Sequence, residues 1–149
     1  MSPKPIYLDV CALSRPFDDQ RFLRIRMETE AVNLILSKVR HGLYGMLVSP
    51  VHHREIEAIE DAVERIELQQ LLASLGKPMN VDKVKTSARA EQLIRSGIGV
   101  ADAAHLAFAE QSGASFISSD DRLLKKCARM ITSIWCGNPV AFCEQEELR

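Results

Sequence analysis

Ile6-Tyr7-Leu8-Asp9, with Val10-Cys11-Ala12-Leu13 behind it, is a short apolar strand that ends on a lone carboxylate. Apolar neighbours on both sides leave that carboxylate little structural use. In open parallel sheets the carboxyl ends of strands are where ligands bind, near the point at which strand order reverses. The purely structural explanation is a turn-forming Asp whose side chain accepts from nearby backbone N–H groups. Asp9 therefore has two readings by itself, and the rest of the chain decides between them.

Strand and helix patterns alternate from there. After the turn segment Ser14-Arg15-Pro16-Phe17-Asp18-Asp19-Gln20, apolar positions Phe22, Ile25, Val32, Leu36 and Val39 fall three and four apart around Thr29, which predicts a long helix. His41-Gly42 closes it. Tyr44 to Val48 reads as a second strand, and Ser49-Pro50 as a helix start with cap and first-turn proline in order. Ile56, Ile59, Val63 and Ile66 continue that helix on one face until Gly76-Lys77-Pro78 breaks it. Further helices are expected from about Val84 to Ile94 and from Ala101 to Gln111. A strand follows over 114–118, a helix from Asp120 to Arg129 and a last strand from Met130 to Trp135. Asn138-Pro139-Val140 is a turn leading to a short helix or tail. This alternation predicts an α/β fold with a mainly parallel central sheet flanked by helices and right-handed crossovers.

The chain has 149 residues, the length of one domain, and it is expected to fold as a single unit over residues 1–149. Hydrophobic residues make up 46% and charged residues 26%, ordinary for a soluble protein. No apolar run approaches the roughly 20 residues that span a bilayer. Met1-Ser2-Pro3-Lys4-Pro5 lacks the apolar stretch of a signal peptide, so the expected location is the cytoplasm. Cys11, Cys127, Cys136 and Cys143 have no zinc-site spacing and read as free thiols in a reducing compartment. The net charge of −1 excludes nucleic-acid binding by overall charge alone. Any such affinity must come from local patches and bound cations. Aromatic content of 5% leaves few stacking platforms, and Trp135 is expected in the core.

Three more acids sit where a strand or helix meets a turn. Glu55 lies in the early turns of the second helix, where the helix dipole favours an acid. Glu57, Glu60 and Asp61 on the same helix read as its solvated face. Asp102 opens the alanine-rich helix, among neighbours so small and apolar that an unpaired carboxylate there would be costly. Asp120 and Asp121 follow a strand directly in Ser118-Ser119-Asp120-Asp121, where helix capping explains one of the two. Hard cations such as Mg²⁺ take oxygen ligands, usually one or two carboxylates per ion with retained waters. Three or four acids at one edge of a parallel sheet suit one or two such ions. Two ions about 4 Å apart can activate a water and stabilise the leaving oxygen in an in-line displacement. The spacing places no histidine or cysteine well for such a site. Crowding would raise at least one carboxylate pKa in the metal-free state and make metal binding pH-dependent.

In this order the residues resemble the PIN-domain family of nucleases, which includes VapC-type toxins of toxin–antitoxin pairs. Tyr7-Leu8-Asp9-Val10-Cys11-Ala12-Leu13 is similar to its first motif. Leu47-Val48-Ser49-Pro50 through Glu55 is similar to its second, Asp102-Ala103-Ala104-His105-Leu106-Ala107 to its third and Phe116-Ile117-Ser118-Ser119-Asp120 to its fourth. The resemblance implies metal-binding acids at Asp9, Glu55, Asp102 and Asp120, with Ser118 orienting a water or a ligand carboxylate. It implies Mg²⁺- or Mn²⁺-dependent cleavage of RNA, frequent homodimers and, in the toxin branch, a small antitoxin partner. Val10-Cys11 departs from the commoner polar pair after the first Asp.

The segment Arg15 to Gln20, with Arg24, Glu28 and Glu30, marks a subgroup whose substrate the general motif does not fix. Arg24/Glu28 and Arg26/Glu30 read as surface pairs four apart. Asp19, Glu28 and Asp121 are second-tier site candidates. The basic groups Arg21, Arg24, Arg26 and Arg122, Lys125, Lys126, Arg129 either meet phosphates or are solvated helix faces. The principal alternative to a ribonuclease is a catalytically weak or inactive PIN-like RNA-binding or regulatory module. A response-regulator-like domain would need a Lys at a later strand end, which Lys77 does not supply.

Overall fold

Lys4–Leu8 forms the central strand, β1, because Ile6, Tyr7 and Leu8 are all fully buried and alternate between two covering layers. The structure, a computed structural model, describes residues 2–130 and 132–149. The other strands are β2 Tyr44–Val48, β3 Gly76–Pro78, β4 Ser115–Ile117 and β5 Cys136–Gly137. They make one sheet in the order β3-β2-β1-β4-β5, with every neighbouring pair parallel. Ile6 is opposite Met46 on one side and Ser115 on the other, and Leu8 is opposite Ile117. The order reverses between β1 and β4, the switch point of an open parallel sheet.

The helices are α1 Val10–Leu13, α2 Leu23–Arg40, α3 Pro50–Glu57, α4 Ala62–Leu75, α5 Lys83–Arg95, α6 Val100–Gln111, α7 Asp121–Arg129 and α8 Pro139–Gln145, with a 3-10 turn at Arg15–Phe17. One layer packs Val32, Ile35 and Leu36 of α2, Leu68 and Leu72 of α4 and Phe142 of α8 on Ile6, Leu8, Met46 and Ile117. The other packs Leu93 of α5, Ala103, Leu106 and Ala107 of α6 and Leu123 and Cys127 of α7 on Tyr7 and Phe116. Ala103, Ala107 and Ala109 of α6 are fully buried, and the helix packs most extensively on α5. Among the described residues no helix is long and apolar enough to cross a membrane.

Several boundaries differ from the sequence expectation. The second long helix is two: Asp61 accepts from the Glu64 N–H at 2.9 Å and starts α4 anew. Val63 and Ile66 are consequently 64% and 49% exposed, and Leu68 and Leu72 form the buried face instead. Gly76-Lys77-Pro78 is an edge strand rather than a break. Its glycine is obligatory, since a Cβ there would lie 2.4 Å from a Val48 methyl and 2.5 Å from the Leu72 carbonyl oxygen. Of the expected last strand over 130–135, Ile131 lies outside the described residues, and the strand itself falls at Cys136–Gly137. The Phe116 and Ser118 N–H groups there donate to the Trp135 and Gly137 carbonyls, at 2.8 and 3.0 Å. Phe22 precedes α2 with its ring 61% exposed, so the buried face of that helix begins later, at Glu28 and Ala31.

Candidate active site at the rim of the sheet

Asp9 leaves the end of β1 and begins α1 as its N-cap, accepting from the Ala12 N–H at 2.9 Å. Its own N–H still donates to the Ile117 carbonyl of β4 at 3.1 Å, so the residue is anchored at the β1–β4 switch point. The turn explanation holds, and the same residue stands at the switch point where the site reading places it. The side chain is 3% exposed and has no cationic side chain bonded to it among the described residues. Burial pushes its carboxyl up to about 6, and the Asp102 charge adds to that. The Ser118 hydroxyl, the Ala12 N–H and the nearby His105 ring act the other way without cancelling it.

Ser118 joins two of the acids. Its hydroxyl bonds the Asp9 carboxylate and its oxygen accepts from the Asp120 N–H at 3.0 Å. Asp120 is the N-cap of α7, its Oδ1 taking the Arg122 and Leu123 N–H groups at 3.0 and 3.2 Å. Capping therefore uses Asp120 itself, and Asp121 points away to form a two-pronged pair with the Arg24 guanidinium. Asp102 sits in the first turn of α6, half-buried. Its carboxyl is raised first by burial and then by Asp120, with a smaller contribution from Glu55. Glu55 lies in the last turn of the short helix α3, not near the start of a long one where the dipole would favour it. Its hydrogen bond to His105 Nε2 holds it below the usual carboxylate range.

Cys11 marks where these fields meet. Lost hydration comes first, and then Asp9, Asp120, Asp102 and Glu55 in falling order push its thiol up to about 12. Each of the four predicted acids contributes to that upward push. They form a rim and not a closed cage: among the described residues no three His, Cys, Asp or Glu side chains stand close enough to grip one ion as they are. The oxygen-only donor set, with Asp9 buried and without a counter-charge, fits a hard divalent cation.

Two second-tier candidates lie off this rim. Asp19 is exposed and clamped to Arg21 two residues away. Glu28 is a correction to the surface-pair expectation, because it is 2% exposed. Its Oε1 takes Arg15 Nε at 3.0 Å and Arg24 Nε at 3.3 Å, while Oε2 is buried with no partner. The Arg15 contact comes from the preceding turn, which helical spacing does not reveal. Arg26 donates to the Gln20 and Arg21 carbonyls and makes no pair with Glu30.

Two histidines belong to a buried network beside the rim. Behind Glu55 a buried polar chain runs through His105, Tyr7 and Ser49. Tyr7 Oη bonds His105 Nδ1 and lies 2.7 Å from Ser49 Oγ. His52 accepts from the Ser49 N–H on Nδ1 at 3.0 Å and donates from Nε2 to the Leu8 carbonyl at 2.6 Å, tying α3 to β1. Burial holds His52 down to about 3, so it stays neutral. Asp102 and His105 are three apart on α6, one helical turn, and that spacing was the available signal.

Comparison with known proteins places this architecture. Residues 6–129 match the PIN domain. No curated protein matches the chain. Among solved structures, FitAcB from Neisseria gonorrhoeae is similar at 17% identity and a TM-score of 0.56, over 90% of this chain and 97% of that one. FitAB bound to an IR36 DNA fragment is similar at 20% identity and a TM-score of 0.57, over 91% and 95%. PAE2754 from Pyrobaculum aerophilum is similar at 14% identity and a TM-score of 0.55, over 97% of each chain. At these identities the likeness is one of fold, whereas the domain match covers most of the sequence: the chain belongs to the PIN-domain family.

Proposed function

We propose that this protein is a Mg²⁺- or Mn²⁺-dependent endoribonuclease, the toxin of a type II toxin–antitoxin pair. The observation that carries this is Asp9, buried at the β1–β4 switch point and lacking a cationic partner among the described residues, with Asp120 set at the adjoining end of β4 by Ser118. Asp9, Glu55, Asp102 and Asp120 would hold the ion. When bound, a divalent cation supplies Lewis-acid activation and neutralises charge on the transferring phosphate. Ser118 orients the Asp9 carboxylate and fixes the Asp120 backbone beside it, and His105 fixes Glu55. Asp121 is taken by Arg24 and is left out of the ion-holding set.

An RNA substrate, a small antitoxin, a homodimer and a cytoplasmic location belong to the same proposal, through membership in the family and resemblance to its toxin branch. The likeness to FitAB, solved bound to a DNA fragment, supports a partnered protein of this kind. A second reading, an RNA-binding PIN module without turnover, draws on the open arrangement of the rim acids. The test is cleavage of a mixed RNA with Mg²⁺ or Mn²⁺ by wild type, Asp9→Asn and Asp102→Asn. Metal-dependent cleavage retained by both variants sinks the assigned site. No cleavage of any RNA together with no metal binding by calorimetry leaves the binding module.

A further inference from the structure

We propose that His105 is a positioning residue which occupies one oxygen of Glu55 and leaves the other as a single-oxygen ligand, biasing the rim toward Mg²⁺ or Mn²⁺ and away from Ca²⁺. This deepens the metal-dependent reading above and rests on it. A carboxylate only accepts, so His105 Nε2 carries the hydrogen in its bond to Glu55 Oε1. In the neutral ring Nδ1 accepts from the Tyr7 hydroxyl, which leaves the Tyr7 oxygen to accept from the Ser49 hydroxyl. The donors run one way along the chain, from Ser49 through Tyr7 and His105 to Glu55. Such a chain fixes the tautomer of the ring as well as its angle.

Packing holds the ring in that orientation. His105 is 1% exposed, edge-on to the Tyr7 ring at 5.5 Å and to the His52 ring at 5.1 Å. Rotating the imidazole would strand two buried polar atoms, each an uncompensated desolvation. The bond joins α3 to α6, fifty positions apart in sequence, and so sets Glu55 relative to Asp102 one turn away. Glu55 Oε2 has no protein partner among the described residues, and the side chain is 36% exposed, so that oxygen is the one available to an ion. Ca²⁺ takes six to eight oxygens and commonly a two-oxygen carboxylate, whereas Mg²⁺ demands a six-coordinate shell and takes single oxygens. Blocking Oε1 disfavours the first mode and leaves the second intact. Carboxylates that bind metals are commonly fixed by a hydrogen bond of this kind.

Calorimetric titration with Mn²⁺, Mg²⁺ and Ca²⁺ tests this on wild type, His105→Leu, His105→Gln and Tyr7→Phe, alongside ¹⁵N NMR of the histidine rings. His105→Leu is expected to weaken Mn²⁺ binding by roughly tenfold to a hundredfold, with a smaller loss for Ca²⁺, so that discrimination between the two narrows. His105→Gln places an amide donor where Nε2–H lies and is expected to restore most of the affinity and the discrimination. The metal-free wild type is expected to show Nε2 protonated and Nδ1 bare at His105, and Tyr7→Phe to mix the tautomers. Tyr7→Phe keeps the test open if His105→Leu does not fold. Unchanged Mn²⁺/Ca²⁺ discrimination in His105→Leu, a His105→Gln protein as weak as His105→Leu, or a neutral ring protonated on Nδ1 would each overturn the assignment. A wild type that binds none of the three cations and cleaves no RNA overturns the proposed function with it. A His105→Leu protein that binds all three cations as the wild type does overturns this inference alone.

Discussion

On the α3 wall of the rim Glu55 is held below the usual carboxylate range by His105, whereas on the β1 wall Asp9 is buried and pushed up to about 6. Both residues are acids at the same sheet edge, and the protein treats them in opposite ways. Glu55 has a hydrogen-bond donor and its direction supplied from within, by His105. Asp9 has two neutral donors, Ser118 and the Ala12 N–H, and no cation. Asp102 follows Asp9, raised by burial and by its neighbour Asp120. One wall is finished in the metal-free protein, and the other is held at an energetic disadvantage that a bound cation would relieve.

The strongest way to break this contrast is through activity. Asp9→Asn and Asp102→Asn are each expected to reduce RNA cleavage by more than the ~100-fold typical of losing an outer-shell partner, read from single-turnover cleavage of a mixed RNA. Stability sharpens it next, because the two walls predict opposite signs. Asp9→Asn is expected to raise the metal-free stability at pH 7 by about 1–3 kcal/mol, since it removes the buried charge. Glu55→Gln is expected to lower it by about 1 kcal/mol, since a charged hydrogen bond becomes a neutral one. Urea unfolding in chelator reads both, and equal signs would break the comparison.

The pH dependence has a definite direction. Between 3.8 and about 6 the folded state still holds the Asp9 proton that the unfolded chain has released, so this contribution to stability falls as pH rises through that window. His52 works the other way. Held down to about 3, it stays neutral when folded, so its contribution is present above about 6.5 and is lost as pH falls. Replacing Asp9 by Asn should therefore lessen the fall in melting temperature as pH rises from 4 to 7. What then remains is the contribution of Asp102, which has the same sign, and the acid-side loss from His52. The smallest effect concerns Cys11, whose thiol the rim acids push up to about 12. Asp102→Asn is expected to speed its alkylation at pH 8 by a few-fold, measured by mass spectrometry.

The fold is legible in the sequence where one periodicity persists. The strand over Tyr44–Val48 and the helices α5, α6 and α7 lie within a residue or two of expectation, because each keeps one apolar face against one layer. The α3–α4 break hides because Ile56, Ile59, Val63 and Ile66 keep helical spacing across it, and the Asp61 cap outweighs that pattern. The edge strand β3 hides because Gly-Lys-Pro is chosen for close approach and for an edge, not for strand propensity. At the rim, acids at element ends were readable as positions. Glu28 and His105 were not, because each takes its meaning from a partner on a different element, Arg15 and Glu55.

The two ends of the sheet carry a consequence for assembly. β3 has three residues and finishes on Pro78, which lacks an N–H, and β5 has two residues and runs into Asn138-Pro139. Neither margin presents a run of open backbone groups onto which a foreign strand could zip. Both margins are thus blunted against strand addition and edge-to-edge aggregation alike. What the molecule offers to its surroundings instead is the side chains of its helices and loops, where sequence rather than backbone sets what fits.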